Sequence, residues 1–266
     1  MRQDSSGKWL REGRVFAEGQ FPAWHSELVP GNRGYLWAPD VVRVGPKRFL
    51  YYSVSTFGKN DSAIGLAVGE SVDPAAQWKW QDRGPVLVSR STNRFNAIDP
   101  ALFRDDDGSL WMTFGSFWDG IYIVALDPVT GMRRNPGELP ERLAWTPEIE
   151  APFLCKREGY YYLFINSGKC CRGVKSTYEI RVGRSRSVTG PYVDRDGTDL
   201  RERGGTIVLG SRERWIGPGH ASIHERAGRE WLVHHYYDGE LEGRPRLRKA
   251  PLRWDADGWP QVIFAN

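Results

Sequence analysis

At 266 residues with a formal net charge of +4, the chain suits one large domain, and its basic side chains are scattered rather than gathered in runs, which gives nucleic-acid binding no support. Apolar residues make up 40% and charged residues 26%, a balance that fills a core and argues against disorder. No apolar stretch reaches the roughly eighteen residues of a membrane-spanning helix, and Met1 to Arg14 lack the apolar centre of a secretory signal.

In chain order, the predicted strands are Phe49 to Ser55, Ala63 to Val68, Leu110 to Ser116, Ile121 to Leu126, Tyr160 to Ser167 and Glu230 to Tyr237. Clusters of Gly, Asp, Asn and Pro, such as DDDG at Asp105 to Gly108, separate them as turns. No long helical period intervenes, so the reading is all-β. The strands recur in four units that open at APDVVRVG (Ala38 to Gly45), IDPALFRDDDG (Ile98 to Gly108), IEAPFLCKREG (Ile149 to Gly159) and GHASIHERAG (Gly219 to Gly228). Each opens on a polar residue, Asp40, Asp99, Glu150 or His220, then runs through a short apolar strand, a turn and an aromatic-rich strand. Repeats of this size indicate a β-propeller, whose first strand in each blade lines the central channel. The whole of residues 1–266 is read as a single such domain. The segment Ser5 to Phe16 resembles Ala75 to Val88, the outer end of a blade, so Met1 is expected to sit late in a blade whose inner strands are absent.

Two carboxylates flanking a glycosidic bond suffice to hydrolyse it, one protonating the leaving oxygen and the other activating water or attacking the sugar. Asp99 and Glu150 are the leading candidates, because they open neighbouring inner strands at equivalent places in the repeat and precede a Pro directly or after one residue. Asp40 is expected to orient substrate or to hold structure, since APD is also a turn sequence. His220 follows the sequence GPG, where backbone can approach the axis closely. Twelve Trp residues serve both blade packing and stacking on sugar rings. His224, His234 and His235 are read as packing or surface residues. Cys155, Cys170 and Cys171 are too few for a zinc site or a disulfide scaffold, and the adjacent pair is either a vicinal disulfide or two thiols.

The motifs WAPD (Trp37 to Asp40), NAIDP (Asn96 to Pro100), GSFWDGI (Gly115 to Ile121), IEAP (Ile149 to Pro152), KCCRGVKSTYEIRVGRS (Lys169 to Ser185) and GPGH (Gly217 to His220) resemble the endo-α-1,5-L-arabinanases of glycoside hydrolase family 43. The resemblance implies a five-bladed propeller, with the first blade incomplete here, and inverting hydrolysis of arabinan or arabino-oligosaccharides by a monomer. It places the general acid on Glu150 and a carboxylate that tunes its pKa on Asp99. It places substrate contacts on Trp37, Asn96, Ser116, Phe117 and Trp118, to which the repeat reading adds Asp40, and a calcium ion or water cluster at His220. It implies secretion for the relatives, whereas this chain, with no signal sequence, is either cytoplasmic or lacks its true start. The family's catalytic base lies in a His-Asp-Pro motif, and this sequence contains none. The chain is therefore expected to be a weak hydrolase or an inactive glycan binder, with an exo-acting arabinofuranosidase or xylosidase as the third reading.

Overall fold

A computed structural model describes residues 13–70 and 78–264, together with the backbone of Arg2–Gln3 and Trp9–Leu10. Four four-stranded antiparallel sheets follow one another along the chain, each with its strands in sequence order from the inner edge outwards. The first blade is Leu36–Val44, Lys47–Val54, Ser62–Glu70 and Lys79–Ser89. The second is Ala101–Arg104, Leu110–Phe114, Ile121–Leu126 and Glu141–Ala144. The third is Ile149–Arg157, Tyr160–Ser167, Glu179–Ser185 and Thr206–Leu209. The fourth is Trp215–Arg226, Arg229–Asp238, Arg244–Trp254 and Pro260–Val262. Each of the six runs predicted as strands falls on one of these. Among the described residues the one α-helix is His25–Leu28.

Side chains alternate between the two faces of a strand, so a middle strand feeds two cores. In Lys47–Val54, Tyr51 joins the core shared with the second blade, and its hydroxyl donates to the Gly131 carbonyl at 2.6 Å. Its neighbour Tyr52 faces the opposite way, packs with Val15, Phe16 and Trp24, and donates to Asp82 at 2.6 Å. Phe49, Tyr51 and Leu66 meet Leu110, Met112 and Phe114 between the first and second blades. Ile121 and Ile123 meet Leu163 and Ile165 between the second and third. Tyr162 and Phe164 meet Leu232, Leu252 and Trp259 between the third and fourth. Burying each such side chain contributes about 1.5–3 kcal/mol.

The blade number corrects an expectation. Among the described residues four sheets of blade size are present, and the two-residue strands Arg2–Gln3 and Trp9–Leu10 pair with each other. The fold is a four-bladed propeller rather than the five-bladed one implied by the resemblance. The repeat itself yielded four full units, and the expected fifth blade rested on the family resemblance together with the likeness of Ser5 to Phe16 to the outer end of a blade. Residues 4–8 and 11–12, in the stretch read as the outer end of another blade, lie outside the described residues.

The polar residues that open the repeats prove to be out of step with one another. Ala38, Asp99, Ala151 and His220 all take positive φ, at 40°, 55°, 52° and 52°. Register jumps between Trp37 and Asp40, Glu150 and Phe153, and Gly219 and Ser222 mark bulges at the same place. Asp99 and His220 thus occupy equivalent positions, Glu150 sits one residue before that position, and Asp40 sits two after it. A bulge re-aims side chains at a sheet edge, so the offset separates Asp40 and Glu150 from the position shared by Asp99 and His220.

Candidate active site

Antiparallel order puts the start of each inner strand at the same end of its blade as the end of the second strand. One cleft of about 830 Å³ opens at that end. Trp37, Asn96, Asp99, Glu150 and His220 line it from the inner edge, and Phe57, Ser116, Phe117, Trp118, Cys170, Cys171, His235 and Tyr237 line it from the second-strand side.

Glu150 and Asp99 lie on its floor. Ser116 Oγ donates to Glu150 Oε2 at 2.7 Å, and the same two residues form an isolated antiparallel bridge. Asp99, 8% exposed, accepts from the Ala151 amide through Oδ2 at 3.2 Å. Its own amide donates to Ser53 Oγ at 3.0 Å. Burial pushes Asp99 up to about 7, against the Ala151 amide, which favours the charged form. Burial, and then the Asp99 carboxylate, push Glu150 up to about 7, against Ser116 and His220. Two neighbouring carboxylates displaced this far share protons near neutral pH and titrate as a pair.

The loop carrying Ser116, Phe117 and Trp118 is folded by glycines. Gly115 and Gly120 have φ of 130° and 100°, and a Cβ on Gly120 would come within 2.0 Å of the Ala144 carbonyl oxygen. Only glycine permits both the angle and the approach. Phe117 and Trp118 themselves take positive φ, and the Phe117 amide donates to the Ile149 carbonyl at 2.6 Å. That bond ties the loop to the residue before Glu150. Trp118 remains 41% exposed and Phe57 85% exposed, so both present ring surface to the cleft. Asn96 is buried and accepts from Ser62 Oγ at 2.7 Å.

Asp40 is held differently from Asp99. Oδ1 accepts from the Val41 amide at 2.8 Å and Oδ2 from the Leu102 amide at 2.7 Å, and Asp40 is not among the cleft-lining residues. Burial raises its pKa, and those two amides and His220 oppose the rise. The carboxylate is a strut from the first blade to the second. Equivalent ties run from Asp99 to the Ala151 amide and from Asn166 to the His220 amide.

His220 lines the cleft and is open to solvent through it, although the surrounding protein is dense enough for desolvation to lower its pKa. Among the described residues no three His, Cys, Asp or Glu side chains gather as a metal site. A calcium ion takes six to eight oxygen ligands, and one imidazole beside a carboxylate already occupied by two amides does not supply them. The donor set does not fit the calcium implied by the resemblance.

The sequence reading missed Phe57, His235, Tyr237 and the cysteine pair as cleft residues. The usable signal was topological, because each follows or ends a second strand, as Ser116 does. His235, read as packing or surface, is a partly buried cleft residue, and burial lowers its pKa to about 4, helped by His220 and His234. His234 is a core residue with its Nδ1 against the His235 carbonyl at 2.8 Å. Cys170 and Cys171 are joined as a disulfide, while Cys155 is free.

The profile of the glycosyl hydrolases family 43 matches residues 7–260. The chain belongs to that family. It is 40% identical to an extracellular exo-α-(1→5)-L-arabinofuranosidase of Cellvibrio japonicus, over 96% of this chain and 77% of that one. It is 44% identical to the extracellular endo-α-(1→5)-L-arabinanase 1 of Bacillus subtilis, over 98% of this chain and 78% of that one. Among solved structures, an α-L-arabinanase of Cellvibrio cellulosa complexed with arabinohexaose superimposes with a TM-score of 0.87 at 39% identity, covering 95% of this family 43 chain and 84% of the arabinanase.

Proposed function

We propose that this family 43 glycoside hydrolase cleaves α-1,5-linked L-arabinofuranosyl chains by single displacement with inversion. The observation that carries the reading is the Asp99–Glu150 pair, displaced towards neutral pH on the floor of an open cleft. Glu150 is the general acid. Its pKa near 7 keeps a proton available where an ordinary Glu has lost it, and Ser116 fixes the carboxyl so that the proton faces the leaving oxygen. Burial, and then the Asp99 charge, hold that pKa up, and Asp99 is fixed to the backbone following Glu150. Trp37, Phe117, Trp118 and Phe57 offer ring faces to the furanose units. Relatives named for both exo and endo cleavage of arabinan support the substrate class and leave the mode to product analysis.

Glu150 and Asp99 are the carboxylates among the described lining residues, and the sequence has no His-Asp-Pro. The proposal is therefore that this chain supplies the acid half of the reaction and turns over slowly, short of the roughly 10²–10⁴-fold that a general base contributes. Release of reducing sugar from linear arabinan, run beside Glu150→Gln, tests it. Slow turnover abolished by Glu150→Gln supports the hydrolase. Binding of arabinohexaose with no turnover would convert the reading to a glycan-binding propeller, and absence of both would overturn it.

A further inference from the structure

We propose that the Cys170–Cys171 disulfide is a binding element of the cleft, a rigid apolar wall on which the C–H face of a furanose ring packs. The inference rests on the glycan-cleaving reading above and extends it to a second wall of the site.

The pair has no evident stabilising task. A disulfide stabilises chiefly by closing a loop in the unfolded chain, and the benefit grows with loop length. Here the sequence separation is one residue, so almost no chain entropy is removed. What the bond does accomplish is local. It fuses two side chains into one compact group, in which Cys170 is half-buried and Cys171 exposed. Both residues line the same cleft as Glu150, Phe117 and Trp118.

The surrounding backbone holds this group still. The Cys171 amide donates to the Tyr237 hydroxyl oxygen at 2.7 Å, reaching across to the fourth blade. On one side of the pair, the Lys169 amide donates to Thr177 Oγ1 at 3.0 Å and the Thr177 amide to the Lys169 carbonyl at 2.9 Å. On the other, the Arg172 amide donates to Ser176 Oγ at 3.1 Å. The turn at Gly173 is packed against Gly243, where an added Cβ would approach the Gly173 Cα to 2.6 Å. Cys171 takes a φ of 66°, a conformation that costs free energy in a non-glycine residue and recurs where a side chain must be presented to a ligand.

The chemistry matches a sugar. A furanose ring has an apolar face bounded by hydroxyls, so its sites pair an apolar surface with polar groups at the edges. Sulfur is polarisable and packs well against C–H groups and rings. Lys169, Arg172 and the Tyr237 hydroxyl border the pair and supply hydrogen-bonding partners. A surface already fixed loses little conformational entropy on binding, which favours affinity.

The test uses the full chain carrying Glu150→Gln, so that ligand persists, and reads arabinohexaose binding by calorimetry. Adding Cys170→Ala with Cys171→Ala is expected to weaken the dissociation constant by about tenfold, a change typical of losing one packed apolar contact, with an unchanged unfolding midpoint. Cys170→Ser with Cys171→Ser is expected to lose as much, because hydroxyls do not restore the apolar face. Thiol titration of the unfolded parent is expected to find one thiol per chain, from Cys155. Three thiols, an unchanged affinity in both double variants, or a loss that follows the folded fraction would each overturn the proposal. Failure of the parent itself to bind arabinohexaose would overturn the glycan-cleaving reading along with it.

Discussion

Asp99 Oδ2 accepts a hydrogen bond at 3.2 Å from the amide of Ala151, the residue that follows Glu150. The carboxylate that, together with burial, raises the pKa of Glu150 is thereby anchored to the strand that carries it. Glu150 must be protonated to act as an acid, so activity is expected below about 7 and lost as pH rises through it. Asp99→Asn removes the neighbouring charge, which lowers the pKa of Glu150 and moves the alkaline limb of kcat/KM to lower pH. An alkaline limb that stays in place in Asp99→Asn would remove Asp99 from the tuning role.

The same shifts have a consequence for stability. Asp99 and Glu150 rise from 3.8 and 4.5 to about 7 on folding, so the folded chain binds protons that the unfolded chain has released. Their contribution is fully present below the unfolded values and is lost as pH rises through about 7. Glu150→Gln eliminates one of these ionisations. Its unfolding midpoint relative to the parent is expected to rise between pH 4 and pH 8, with a gain on the order of 1–3 kcal/mol at the upper end. Thermal unfolding across that range checks the sign, and a difference independent of pH would exclude the linkage.

How much of this was legible in the sequence follows from which interactions are local. The four-unit repeat, the second strands and the Asp99–Glu150 pair were readable, because alternation and turn residues act within a few positions. The offset between Asp40, Asp99, Glu150 and His220 was not, because it depends on bulges whose register is fixed only when the second strand pairs. A shift of one or two residues looks trivial in an alignment of repeats, yet it puts Asp40 on backbone amides and Glu150 in the cleft. The second-strand loops were missed for a related reason, since nothing local announces that Phe57, Cys170 and Tyr237 end at the same height.

The strut role of Asp40 separates stability from chemistry. Asp40→Ala leaves the Leu102 amide without its acceptor, a loss of about 1–3 kcal/mol for a buried donor. Urea unfolding is expected to show that loss, while kcat/KM corrected for folded protein stays within about twofold of the parent. A fall in corrected kcat/KM comparable to that of Glu150→Gln would instead make Asp40 the group that activates water.

Gly120 of the Ser116 loop and Gly108 of the preceding turn allow a paired comparison. Gly120 has a φ of 100° and no room for a Cβ beside the Ala144 carbonyl, whereas Gly108, at 84°, has nothing within 4 Å. Gly108→Ala is expected to cost about 1 kcal/mol, the backbone penalty alone. Gly120→Ala adds a backbone clash that cannot relax by moving a side chain, so a loss above about 2 kcal/mol is expected. It also displaces the loop that aims Ser116 at Glu150 and presents Trp118, so affinity for arabinohexaose falls in the protein that remains folded. Equal unfolding midpoints for the two variants would show that the loop absorbs the methyl group, and would remove the steric account of its glycines.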